Sequence, residues 1–500
     1  MNHPPATTSW YNRNGMVLLI LLLFSAIIFA PVFTTDYVYL DEAYQLWNRD
    51  TDSNYQMFAK NGRLFSGIYF QKAFQYISST HALIYLRVLS LAGWLFCSWL
   101  LFHCSRQWVK KLDLSPLLPL LLAIACICSS SVTIYVGWAS AGQIYLSFIT
   151  GLLSGHLLFG AVTNPASKKL NYILSILLGV LALLIYQVGF GVFLLPLLLY
   201  WLSKETVKKP KPFLIGLSTY FIIYLLYFFV FLAYRKVLHI QHDSRTELVI
   251  QPLKKISFFF GTPFSQAWSL NLLVNLHNII SQLVPVLLLA VWLILFIKQA
   301  RPRKTNSVLI HLMVILFLLI CSYLPSLIAK ENFSSYRTMI AFYLCAFTLL
   351  SLAILQSFNT TKGKLVFTVT VSVLLLVVSI LNYNRNFSRP LQKEYAALHQ
   401  LPLFNTVKAE DTIIFIRADG KLFQRLYGIK SYKDEFGLPS TFRDWTPEYL
   451  TRQIIKEKNS EEVARKILFF QFADFAGYED SMKLKPVNPV IIDMNKLLEN

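Results

Sequence analysis

The chain has 500 residues, of which 55% are hydrophobic and only 14% charged. A water-soluble protein of this length carries more charged surface, so a soluble globular fold is excluded. The formal net charge is +20, but much of it sits in short loops between apolar runs, where it reports insertion orientation rather than nucleic-acid binding.

Apolar residues come in blocks of about 17 to 22, the length that crosses a hydrocarbon core. In chain order these blocks predict about eleven helices, at 16–33, 82–103, 116–130, 143–162, 170–186, 188–202, 213–233, 279–297, 307–328, 339–356 and 365–382. Arg13 precedes the first run and no small-x-small cleavage site closes it, so this helix is expected to be a retained signal anchor. Tyr186 to Gly189 must make a tight turn between two helices. Cys97, Cys104, Cys126, Cys128, Cys321 and Cys345 all lie in or beside apolar runs and are read as packing residues.

Alternate loops differ in charge. One set carries Arg106, Lys110, Lys111, Lys168, Lys169, Lys204, Lys208, Lys209, Lys211, Lys298, Arg301, Arg303, Lys304, Lys362 and Lys364. The short loops of the other set, around 131–142 and 186–189, have neither Lys nor Arg, and only 329–338 breaks the pattern with Lys330 and Arg337. Basic loops stay in the cytoplasm. The N-terminus is therefore expected inside, and the 34–80 loop, the 234–278 loop and the C-terminal tail outside. The organisation expected is a membrane domain over 1–383 and an extracytoplasmic α/β domain over 384–500. In the latter, 412–418, 466–472 and 488–493 read as strands, the first two of them buried, and 448–458 has helical spacing.

The first outer loop opens with "FTTDYVYLDEAYQLWNRD", which clusters Asp36, Asp41, Glu42 and Asp50 directly after a hydrophobic helix. Ala43, Tyr44, Leu46 and Trp47 follow in an amphipathic pattern suited to the membrane interface. A carboxylate at that depth serves as a general base. Activated nucleotide sugars are cytoplasmic, so a sugar transfer outside must draw on a donor carried across as a lipid phosphate. Arg63 in "NGRLF", with Lys330 and Arg337 in "AKENFSSYRTM", are the candidates to hold the departing phosphate. Arg235, Lys236, His239, His242 and Arg245 form a further basic patch read mainly as a contact with anionic lipid. Trp138, Ser140 and Gln143 in "YVGWASAGQIY" read as an interfacial anchor rather than a sugar platform. His156 and His311 each stand alone among apolar residues and read as core histidines.

An acidic pair just after the first helix, more than ten spans and a soluble outer C-terminal part together resemble the GT-C superfamily of membrane glycosyltransferases. "LDEAYQLWNR" (Leu40–Arg49) is similar to the Asp-Glu-Ala-Tyr signature of the branch related to protein mannosyltransferases and aminoarabinose transferases. "DYVYLDEAY" followed by "NGRLF" is similar to the Gtr family of O-antigen glucosyltransferases in bacterial inner membranes. The motifs agree only between Asp36 and Phe65; the first outer loop has no His-Pro-Pro element of the kind common in the first branch, with "NGRLF" near where it would fall, and a Trp-Trp-Asp motif of oligosaccharyltransferases is absent.

The resemblance implies a GT-C-like fold and an inverting transfer from a polyprenyl-phosphate-linked sugar to a surface glycan or lipid acceptor, in the inner membrane of a bacterium. It places the first-loop acid on Asp41 or Glu42, with Asp36 as competitor. For a monophosphate lipid donor it implies no metal. A lipid diphosphate donor brings in a divalent ion, for which Asp36, Asp41, Glu42, Asp50 and Asp52 are the available oxygens, but their spacing follows no metal motif and no cofactor is expected. The alternative is a transporter or flippase of lipid-linked sugars. That class carries charges along its helices, whereas Arg87 and the two histidines are the main exceptions in otherwise uncharged spans here.

Overall fold

The computed structural model describes residues 11, 14–164, 168–240, 247, 251–275, 278–300, 305–429, 435–481 and 489–499. Arg13, His242, Arg245, Arg301, Arg303 and Lys304 lie outside them.

Among the described residues seven helices are long and apolar enough to cross a membrane: Asn14–Phe33, Leu83–Lys111, Ala139–Thr163, Lys211–Val237, Ser281–Gln299, Ile340–Ser357 and Thr361–His399. Leu118–Ile127 and Ser130–Gly137 form one more if taken together, bent by 41° at the break. The bend falls where Ser129 caps the second piece by accepting from the Val132 N–H, a hydroxyl competing with the helical ladder. Shorter apolar helices stand at Lys169–Ile185, Gln187–Leu202 and Val308–Ser322. Together these helices occupy every position predicted from the apolar pattern. The chain is a mostly helical, polytopic membrane protein.

Two expectations change. The 131–142 segment is not all loop, because Ser130–Gly137 is helical and only the residues around Trp138 turn. The helix predicted to end at 382 continues through a π-helical stretch, Leu381–Ser388, to His399. Asn382 lies in that stretch and donates to Asn271 O (2.8 Å) and Ser130 Oγ (3.1 Å), giving a polar side chain buried partners. The expected boundary at 383/384 thus lies inside one continuous helix.

The C-terminal unit has three parallel strands in the order β2–β1–β3, with β1 Thr412–Ile416, β2 Leu468–Phe472 and β3 Val490–Asp493. Ile414 stands opposite Phe470 on one side and Ile491 on the other. Only the central strand is fully buried. Leu468 and Phe470 are about half exposed, so β2 is an edge strand and not the buried strand expected. The predicted helix forms as Pro447–Lys458.

This unit is tied to the first loop. Thr80 donates to Glu457 through both its N–H (2.8 Å) and its hydroxyl (2.9 Å), and Ser440 Oγ donates to Val38 O (2.7 Å). Glu394, buried near the end of the long helix, accepts from the Ser440 N–H (2.7 Å), the Thr441 N–H (2.9 Å) and the Thr441 hydroxyl (2.7 Å). The segment around 440 is therefore held from two sides.

Candidate functional site

The first loop folds into three helices, Asp41–Trp47, Ser53–Ala59 and Leu64–Tyr76. Leu64–Tyr76 carries exposed Phe65, Ile68 and Tyr76, so the exposed apolar side expected of 41–47 is found on this helix instead. Asp41–Trp47 is wedged inside the protein, with Glu42, Ala43, Gln45 and Leu46 buried and Tyr44 packed edge-on against Tyr449.

Leu40 sets the direction of that helix. It takes φ +46°, a region L-residues rarely adopt, and strain of this kind survives only where the surroundings over-determine it. The constraint is visible next door. Glu42 Oε2 accepts from the Tyr39 N–H (2.7 Å) and from Arg87 Nη2 (2.7 Å), and Glu42 Oε1 accepts from the Ala139 N–H (2.5 Å). Arg87 also donates to Tyr37 O (2.8 Å), and its guanidinium lies 3.7 Å from the Tyr37 ring centroid. Burial pushes the Glu42 carboxyl above the usual carboxylate range, while Arg87 and the two backbone N–H groups pull the other way. Glu42 is fully buried and is used up as a brace between the first loop, the Leu83–Lys111 helix and the turn at Trp138. Arg87, the charge within an apolar span, is its partner.

Asp41 points the other way, into a cavity of about 1500 Å³. Arg63, Trp138, Tyr186, Arg337, Glu435, Arg443 and Trp445 are among the other lining residues. A second wall is apolar and comes from Lys211–Val237, through Phe221, Leu225, Phe228 and Phe231. Trp445 Nε1 donates to Asp41 Oδ1 (2.9 Å). Arg337 Nε lies 3.0 Å from Glu435 Oε1, and its guanidinium lies 4.9 Å from the Trp138 ring centroid. Burial works against the Arg337 charge, but Glu435, Tyr186, Asp41 and Tyr39 together hold it above the usual arginine range. Arg63 stacks 4.2 Å from the Tyr186 ring centroid and donates to Gln187 Oε1 (3.3 Å). Tyr186, on the turn predicted between helices, thus contacts Arg63 and lies within electrostatic reach of Arg337.

Gly62 lets Arg63 reach this position. It has φ +79°, and a Cβ there would collide with the Tyr227 hydroxyl.

The other sequence candidates fall elsewhere. Asp36 bonds His81 Nδ1 (2.8 Å) and is not among the cavity-lining residues. Lys330 pairs with Glu247 (2.6 Å) and is likewise outside the lining, although Glu247 is part of it. Trp138 is 3% exposed, so it is not the interfacial anchor expected. It closes the cavity beneath Arg337. His156 takes a hydrogen bond from Trp108 Nε1 (3.0 Å), and His311 lies 5.0 Å from the Trp201 ring centroid. All six cysteines are buried and free. Among the described residues no group of three His, Cys, Asp or Glu side chains stands together to hold a metal ion.

Glu435, Arg443 and Trp445 were not singled out from the sequence. The one available hint was "TFRDW" (Thr441–Trp445), a tryptophan between charged residues in a polar tail. No protein-family model and no curated protein matches the chain.

Proposed function

We propose that this chain is a GT-C-type glycosyltransferase with about eleven spans, its N-terminus in the cytoplasm and its C-terminal unit outside. It moves a sugar from a polyprenyl-phosphate donor to a glycan or lipid acceptor at the outer leaflet of a bacterial inner membrane. One observation carries the reading: Asp41, Arg63 and Arg337 face one cavity that also has an aromatic and aliphatic wall. A carboxylate, two guanidinium groups and an apolar wall are the parts needed by a reaction between a hydroxyl and a lipid phosphate sugar.

In this mechanism Asp41 takes the proton from the acceptor hydroxyl as its oxygen bonds to the anomeric carbon. The bond from that carbon to the phosphate oxygen breaks, and the electron pair leaves with the lipid phosphate. Arg337 and Arg63 balance the charge that develops there. Trp445 orients Asp41 and is a positioning residue. Lys211–Val237 offers the isoprenoid chain an apolar path, since Phe221, Leu225 and Phe228 line the cavity and are exposed.

The test uses purified protein in proteoliposomes with a panel of polyprenyl-phosphate sugars. Transfer or donor hydrolysis supports the enzyme. Movement of intact lipid-linked sugar between leaflets, with no chemistry, makes the chain a flippase instead. Reporter fusions near Asp50 test the orientation, and a cytoplasmic signal there ends the proposal.

A further inference from the structure

Arg337 already has an anion against it. Glu435 is 5% exposed, and its two oxygens are both engaged, Oε1 by Arg337 Nε at 3.0 Å and Oε2 by the Ser335 hydroxyl. Its backbone oxygen accepts from the Tyr39 hydroxyl at 2.9 Å, so the residue is held by main chain as well as side chain. Glu435 and Arg337 both line the cavity, and Asp41 adds a second carboxylate within electrostatic reach of the same guanidinium. A ligand phosphate that reaches Arg337, with Arg63 on the same cavity, therefore also meets two fixed negative charges.

Charge distinguishes donor from product in the proposed reaction. A polyprenyl-phosphate sugar is a phosphodiester with one negative charge. The lipid phosphate left behind is a monoester, whose second ionisation lies near about pH 6, so that above it the group is a dianion. Like-charge juxtaposition in a partly buried site is costly and discriminates between ligands. Each added charge is opposed by Glu435, and the product carries one more than the donor.

Resting on the function proposed above, we infer that Glu435 is a specificity-determining residue that biases the Arg337 site towards phosphodiesters and against phosphate monoesters. It lets the donor in and drives the spent lipid phosphate out. In exchange it gives up part of the stabilisation that Arg337 offers to the departing charge.

The experiment measures equilibrium binding of two short-chain probes to the full chain in nanodiscs at pH 8: citronellyl phosphate, a monoester, and its methyl diester. The parent protein is expected to prefer the diester. Glu435→Gln removes the charge while keeping the shape, and is expected to tighten monoester binding about tenfold, with a clearly smaller gain for the diester. Glu435→Ala is the second variant and is expected to move the ratio in the same direction. If the variants leave the ratio of the two affinities unchanged while the parent binds both probes and transfers sugar, the inference about Glu435 is wrong and the function stands. If neither probe binds the parent, the Arg337 cavity is not a phosphate site, and both fail.

Discussion

The indole nitrogen of Trp445 donates a 2.9 Å hydrogen bond to Asp41 Oδ1 across 404 residues of sequence. The bond joins the C-terminal unit to the first loop at the carboxylate that faces the cavity. The bond is solvent-exposed, so water replaces most of its contribution to stability when it is lost, but it selects one orientation of Asp41. Trp445→Phe keeps an aromatic ring and loses the donor. Transfer should fall about tenfold to a hundredfold in kcat, with acceptor KM and thermal stability nearly unchanged. A change confined to KM would assign Trp445 to acceptor contact rather than to positioning.

Asp41 and Glu42 are adjacent but should fail in different ways. Asp41→Asn removes the base, so transfer should drop about 10²–10⁴-fold with normal insertion and melting. Glu42→Gln leaves Arg87 as an uncompensated buried charge and should destabilise the protein by about 3–5 kcal/mol. Thermal unfolding in detergent, run beside the transfer assay, separates the two. Full activity in Asp41→Asn would reject it as the base.

Arg337 has both a chemical and a structural partner. Arg337→Gln should lower kcat about 10²–10³-fold and also destabilise, because Glu435 loses its counter-charge while 4% of its side chain remains accessible. In the double variant Arg337→Gln with Glu435→Gln, stability should return and activity should not. Recovery of both would mean that Arg337 serves only to hold Glu435.

Gly62→Ala tests the approach of the first loop to Lys211–Val237. The positive φ of Gly62 and the nearby Tyr227 hydroxyl leave no room for a methyl group. The substitution should cost about 1–3 kcal/mol in stability and weaken donor binding by displacing Arg63. Unchanged melting and donor KM would show that this loop adapts freely.

The membrane class, the positions of the apolar helices and the strands of the tail all followed from local pattern. Helix length, loop charge and strand alternation are set by the solvent each segment meets, and that information is written in consecutive residues. The same pattern could not rank Asp41, Glu42 and Asp36. All three are acids in one exposed-looking stretch, and only packing turns Glu42 inward to Arg87, sends Asp36 to His81 and leaves Asp41 on the cavity. Glu435 and Trp445 were beyond local reading for the same reason. Their roles depend on contacts with Arg337 and Asp41, both distant in sequence, and such contacts exist only once the C-terminal unit has docked on the first loop and the 329–338 segment.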